Sequence, residues 1–191
     1  MKNISLCIFL GNPGRDYVHT RHNAGFMLAE HHPDLRGASW QEKFHGEYTS
    51  LPVGTIKCQF LRTMTYMNKS GISKAAAASF FKIDAADILV VHDELELPFG
   101  TVGVRAGGGL GGHNGLRSIA ERLGTKDFSR LRIGIGRPKG GSVSGYVLSQ
   151  FNSDEKAVLP TVLDAGVRMF DGVLGGNYKT EVKHTVVDPS R

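Results

Sequence analysis

The sequence is poor in the features that would settle its function at once, and each absence removes a class. It has only two cysteines, Cys7 and Cys58, each inside an apolar run. That count supports neither a disulfide framework nor a CxxC metal pair. The two read as buried free thiols, which suits a reducing, cytoplasmic compartment. No apolar run approaches the roughly 18 residues of a membrane span, so no membrane association is expected. Met1-Lys2-Asn3 before Ile4–Leu10 has the outline of a signal peptide, but one lysine, a short apolar run and no small-residue cleavage site make it a first β-strand. The glycine-rich turns lack the GxxxxGK[ST] lysine, which excludes a P-loop nucleotide triphosphatase. There is no GxSxG elbow, and Ser142 and Ser144 lie in a glycine-rich stretch, so a serine nucleophile is not expected. No HExxH or HxH pattern joins His22, His92, Asp93, Glu94, Glu96 and His113 into a metal site, and no cofactor is expected. Basic residues exceed acidic ones, for a formal net charge of +5, yet they form no block. A surface for a polyanion has to be assembled by folding.

What is present is a regular alternation of strands and helices over 191 residues, read as one domain, 1–191. Ile4–Leu10 and 87–92 are apolar runs of the kind found in central strands covered on both faces. Further strands are expected at Phe44–Leu51 and Thr55–Arg62, a hairpin turning at Pro52-Val53-Gly54, and at Thr101–Arg105 and Arg130–Ile135. Helices are expected from Asn23 to about His31, ended by Pro33, then from 63–70 through Phe81, over Leu116–Leu123, and over 153–175 with Ser153 as N-cap. Residues 34–43 read as irregular, 138–152 as a mobile loop and 176–191 as a frayed tail. The pattern predicts an α/β fold with a mixed, mostly parallel sheet flanked by helices on both faces.

Two polar clusters leave the carboxyl ends of the two apolar strands. The first spans 10–25 and carries Asn12, Tyr17, His22 and Asn23 within a glycine- and proline-containing turn. The second is His92-Asp93-Glu94-Leu95-Glu96. In such sheets the site lies at the carboxyl ends of the strands, so the clusters should converge. His22 is the candidate general base, because imidazole takes up a proton near neutral pH. Asp93 is the candidate partner that fixes its tautomer and orientation. Asn12, Asn68 and Asn114 stand at turns or helix starts, where a carboxamide can hold a water, a peptide or an oxyanion. Gly107–Gly112 formally matches GxGxxG, but Asp127 falls too early and beyond a helix for a dinucleotide fingerprint.

At these residues the sequence resembles the bacterial-type peptidyl-tRNA hydrolases. The resemblance rests on Leu-Gly-Asn-Pro-Gly at 10–14 with Tyr17, on Thr-Arg-His-Asn-Ala-Gly at 20–25, and on Tyr-Met-Asn-Lys-Ser-Gly at 66–71. It continues through His-Asp-Glu-Leu at 92–95 with Leu97-Pro98, through Gly107–Gly115 with His113-Asn114-Gly115, and through 131–138. It implies a monomeric cytoplasmic α/β enzyme that cleaves the ester between a peptide and the 3′ end of tRNA, recycling tRNA from peptidyl-tRNA released by ribosomes. The partner implied is the tRNA acceptor stem and 3′ end, with no obligate protein partner. Carried over residue by residue, His22, Asp93 and Asn12 are catalytic, while Tyr17, Tyr66, Met67, Asn68, His113 and Asn114 bind substrate. Arg105 and Arg132 match positions that hold a tRNA phosphate. Gly103 stands where some members carry lysine, which predicts a weaker phosphate grip or compensation by Arg117 or Arg130. Tyr66 replaces a common phenylalanine, and the 138–145 stretch is short. Two rivals remain from the residues alone: a non-catalytic RNA-binding module using the same cleft, and a dinucleotide-dependent oxidoreductase built on Gly107–Gly112.

Overall fold

The computed structural model describes residues 3–178 and 182–186. Eight strands are present among them: β1 (Leu6–Phe9), β2 (Gln41–Lys43), β3 (Gly46–Val53), β4 (Ile56–Thr63), β5 (Ile88–Glu94), β6 (Thr101–Ala106), β7 (Ser129–Gly134) and β8 (Val182–Thr185). They form one sheet in the order β2-β3-β4-β1-β5-β7-β6-β8. The expected parallel pairing holds in the centre, where β4, β1, β5 and β7 run together. Both margins are antiparallel. Six helices accompany the sheet: α1 (Ala24–His31), α2 (Pro33–Arg36), α3 (Ser70–Phe81), α4 (Asn114–Leu123), α5 (Val143–Val147) and α6 (Ser153–Leu174).

The two central apolar runs serve two cores at once. Alternate residues Leu6, Ile8, Ile88 and Val90 pack under α3 and α4 with Leu116 and Ile119. Cys7, Phe9, Leu89 and Val91 pack under α1 and α6 with Leu28 and Phe170. A strand buried on both faces has no polar alternation to show, which is why these segments read as continuous hydrophobic runs.

Several boundaries differ from the sequence reading. Pro33 does not simply stop α1; it opens α2 at its first turn, where a missing N–H costs nothing. Gln41–Lys43, read as irregular, is an exposed edge strand. The hairpin turns at Gly54-Thr55, because Val53 pairs with Ile56, while Pro52 lies inside β3 beyond the reach of β2. The N-cap of α6 is Asn152, not Ser153: its side chain accepts from Glu155 N–H, and Glu155 returns the bond to the Asn152 N–H, each at 2.8 Å. The 138–152 stretch contains α5. Within the tail, Val182–Thr185 pairs antiparallel with β6; the expected fraying of residues 179–181 and 187–191 concerns positions outside the described residues. Cys7 and Cys58 are buried and free, with sulfurs 3.9 Å apart.

Candidate active site

β1 and β5 are adjacent and parallel, so the turns that follow them open side by side at the carboxyl end of the sheet. The first turn is pressed tightly against the strand ends. A Cβ on Gly25 would lie 2.6 Å from the carbonyl oxygens of both Leu10 and Val91, so only glycine allows α1 to start there. That approach carries His22, one turn earlier, onto Asp93.

His22 Nδ1 lies 2.9 Å from each carboxylate oxygen of Asp93. The carboxylate accepts, so Nδ1 carries the proton and Nε2 keeps its lone pair. Asp93 is 1% exposed and takes a second bond from His113 Nε2, at 2.9 Å. Burial alone would raise the Asp93 carboxyl, but the charges and hydrogen bonds of His113 and His22 reverse this and hold it well below the usual carboxylate range. His113 is the N-cap of α4: its Nδ1 accepts from the N–H groups of Gly115 and Leu116. Both its ring nitrogens are therefore committed, and it braces Asp93 while lining the cleft beside His22. His92, behind them, donates from Nδ1 to the Asp93 carbonyl oxygen at 2.7 Å, and burial pushes its imidazole down to about 3.

His22, Asp93 and His113 present ligand atoms within 4.8 Å of one another, close enough to consider a metal ion. The donor set argues against one. His113 Nδ1 must stay unprotonated to accept from two backbone amides, so its Nε2 holds a proton and offers no lone pair. Asp93 already accepts from two imidazoles.

The amides divide into two kinds. Asn12 is buried, and its Oδ1 accepts from Met67 N–H at 2.8 Å. Asn23 clamps the Asn12 backbone from both sides, accepting from its N–H at 2.8 Å and donating to its carbonyl at 3.0 Å. Only the NH₂ of Asn12 remains available, as a donor. Met67 is itself buried and acts on Asn12 through its backbone. Asn68 and Asn114, in contrast, are exposed, and neither carboxamide is bonded within the described residues. Asn114 lines a cleft of about 250 Å³ with His22, Asp93, Leu95, Ser144 and Val147. Tyr66, 59% exposed, meets Tyr17 edge-to-face with ring centres 6.4 Å apart. A larger groove, about 490 Å³ between α1 and α6, lies away from the His22–Asp93 pair.

One positioning residue was not singled out in the sequence. It is Arg21, buried beside His22, which donates to Ser149 Oγ at 2.6 Å and to the Gln150 carbonyl at 2.5 Å, pairs with Glu155 at 2.7 Å, and lies over the Tyr146 ring. It fastens the α5 wall of the cleft to the His22 turn. Its only signal was adjacency to His22.

The glycine-rich stretch follows β6, which is antiparallel to its neighbours, so it is not the first crossover of a dinucleotide-binding unit. Its Gly108 and Gly109 carbonyls accept from Arg130 at 2.9 and 2.5 Å. Arg130 is thus buried and bonded to the loop, while Arg117 is exposed on α4. Arg105 and Arg132 lie on β6 and β7, with Arg132 in register with His92.

Comparison with known proteins gives the family. The family described as peptidyl-tRNA hydrolase matches residues 6–189. The peptidyl-tRNA hydrolase of Treponema pallidum is 50% identical over 162 residues, 82% of this chain and 80% of that protein. That of Geobacter metallireducens is 47% identical over 163 residues, 85% and 84% of the two chains. The crystal structure of peptidyl-tRNA hydrolase from Acinetobacter baumannii superposes with a TM-score of 0.85 at 40% identity, over 92% of this chain and 91% of that one. An α/β scaffold holding a histidine–aspartate pair at the end of its parallel strands is, on this evidence, a hydrolase. The chain belongs to the peptidyl-tRNA hydrolase family.

Proposed function

We propose that the chain hydrolyses the ester between a peptide and the 3′ end of tRNA by attack of water, with His22 as general base. The observation that carries the reading is the His22–Asp93 pair: Asp93 fixes the proton on Nδ1 and so leaves Nε2 to receive one. Water adds to the ester carbonyl carbon while Nε2 takes its proton. The tetrahedral oxyanion that results accepts from the NH₂ groups of Asn12, Asn68 and Asn114. The C–O bond to the ribose breaks, and the imidazolium returns the proton to the departing hydroxyl, giving free peptide and tRNA. Asp93, braced by His113, stabilises the imidazolium in between. Tyr17 and Tyr66 offer ring faces to the terminal base or to the peptide, and Arg105 and Arg132 offer charge to a phosphate of the acceptor stem.

We propose further that it acts as a monomer. The buried thiols of Cys7 and Cys58 support a reducing, cytoplasmic setting. The test is release of the blocked amino acid from N-blocked aminoacyl-tRNA, with and without EDTA. Turnover unchanged by EDTA is expected; loss of most of the rate would replace activated water at His22 with metal-bound water.

A further inference from the structure

We propose that a second groove, beyond Tyr66, holds the part of the peptide that lies more than about three residues from the ester, and that it accepts this chain with little regard to sequence. The inference rests on the hydrolase reading for the identity of the substrate.

The groove encloses about 590 Å³ between the 43–46 turn and the residues that follow β4, with Glu42, His45, Glu47, Met64 and Thr65 among its walls. β4 runs parallel to β1, and Gly46 at the start of β3 is in register with Thr63 at the end of β4. The groove therefore opens at the same end of the sheet as the His22 turn. It is continuous with the rim of the cleft. Thr65 is followed by the exposed Tyr66 and then by Met67, whose N–H donates to Asn12. The strand order puts the groove on one flank, over β4, β3 and β2, and Arg105 and Arg132 on the other, on β6 and β7. With the ester at His22 and the tRNA leaving over the arginines, the peptide leaves over β4. β3 is two strands from β1, roughly 10 Å at about 4.8 Å per strand, and an extended chain covers that in about three residues.

The walls are fixed before a ligand arrives. Phe44 and His45 make the two-residue turn between β2 and β3 with φ of 58° and 53°, a conformation that asparagine and glycine favour and a bulky side chain resists. The surroundings hold the turn there. The His45 carbonyl accepts from Met64 N–H at 3.1 Å and from Ser73 Oγ at 2.6 Å. The Phe44 ring packs against Tyr48, Phe80 and Phe81, and Lys43 Nζ lies 4.1 Å from the centre of the Phe80 ring. Backbone strain that the fold maintains in this way collects at ligand-holding sites. The surface so held suits a chain of varied sequence. Met64, 37% exposed, offers an unbranched, polarisable thioether that adapts to different side chains. Glu47 is committed to Arg62. The carboxylate of Glu42 and the imidazole of His45 are exposed and make no hydrogen bond or ion pair among the described residues, which leaves them to the amides and polar side chains of a ligand.

The first test places a benzophenone amino acid, which captures methionine on irradiation, at the fourth peptide residue from the ester in peptidyl-tRNA bound to His22→Ala. Capture at Met64 or within 42–47, read by mass mapping, is expected. The same group on the residue that carries the ester should capture the His22 cleft and so report that the substrate is bound. Capture from the fourth residue that misses Met64 and 42–47 would overturn the assignment. The second test is the ratio of kcat/KM on a pentapeptidyl-tRNA to that on an N-blocked aminoacyl-tRNA, which cancels any loss of folded protein. The intact protein should show a ratio of about ten, arising in KM, and Met64→Arg, which fills the groove, should bring it to about one. A ratio that Met64→Arg leaves unaltered would also overturn the assignment. Hydrolysis of neither substrate by the intact protein, with capture at Met64 retained, would defeat the hydrolase reading and leave the groove as a peptide site.

Discussion

The floor of the cleft and its rim are built on opposite plans. On the floor, Asp93 accepts from two imidazoles, His113 spends both ring nitrogens, and Asn12 gives its carbonyl oxygen to Met67. On the rim, Asn68 and Asn114 are exposed without hydrogen-bond partners among the described residues, and Tyr66 is more than half exposed. A buried polar group without a partner costs about 1–3 kcal/mol, so the floor has to be satisfied before substrate arrives. Exposed amides lose little by waiting in water. On the proposed function, the floor is preorganised for charge handling and the rim offers its hydrogen bonds to the ligand.

The sharpest way to break this contrast is Asp93→Asn. The amide cannot accept from both imidazoles and carry His22 through its charged state, so turnover should fall about 1,000-fold, equivalent to about 4 kcal/mol. A change under ten-fold in steady-state rates would show that the floor is not acting as described. Next is Arg21→Ala, which strands Glu155 and frees the α5 wall. Loss of about 3 kcal/mol in urea unfolding is expected, because one partner of a buried pair is left behind. Stability within 0.5 kcal/mol of the parent would place Arg21 on the rim instead. Asn114→Ala and Asn68→Ala should do the reverse. Each should lower kcat/KM about ten-fold, near 1.4 kcal/mol, with melting behaviour unaltered. A large fall in melting temperature would make them structural.

The last test is in pH. The folded-state value of His92 is depressed to about 3, so between there and its ordinary value near 6.5 the unfolded chain binds the extra proton. Its contribution is complete above 6.5 and is lost as pH falls towards 3, with a slope of up to about 1.4 kcal/mol per pH unit. Urea titrations between pH 7 and 4 should show that slope in the parent and a shallower one in His92→Asn. Equal slopes would mean that the histidine is not held neutral by burial.

The sequence showed the floor's residues more clearly than their division of labour. The convergence of 10–25 with 92–96 was legible because both segments leave apolar strands at the same end of a parallel pair, and that follows from pattern alone. What His113 does was not legible. A histidine before a helix gives no hint in the sequence that its Nδ1 caps α4 and its Nε2 reaches Asp93. Arg21 was hidden for the same reason, since its partners lie far along the chain. Among the elements, β1, β5 and α6 stood out through apolar runs or helical spacing. The edge strands β2 and β8 did not, because exposed three- and four-residue strands carry no hydrophobic alternation. Asn152 and Ser153 are both good helix caps, and only the reciprocal bond with Glu155 decides between them.

The most direct measurement of the central claim is turnover of N-blocked aminoacyl-tRNA by the intact protein and by His22→Ala, with binding of uncharged tRNA followed in parallel. The account predicts that the variant binds tRNA as the parent does and releases amino acid at least about 100 times more slowly. Equal turnover by the two proteins would remove His22 as the base and contradict the site as described.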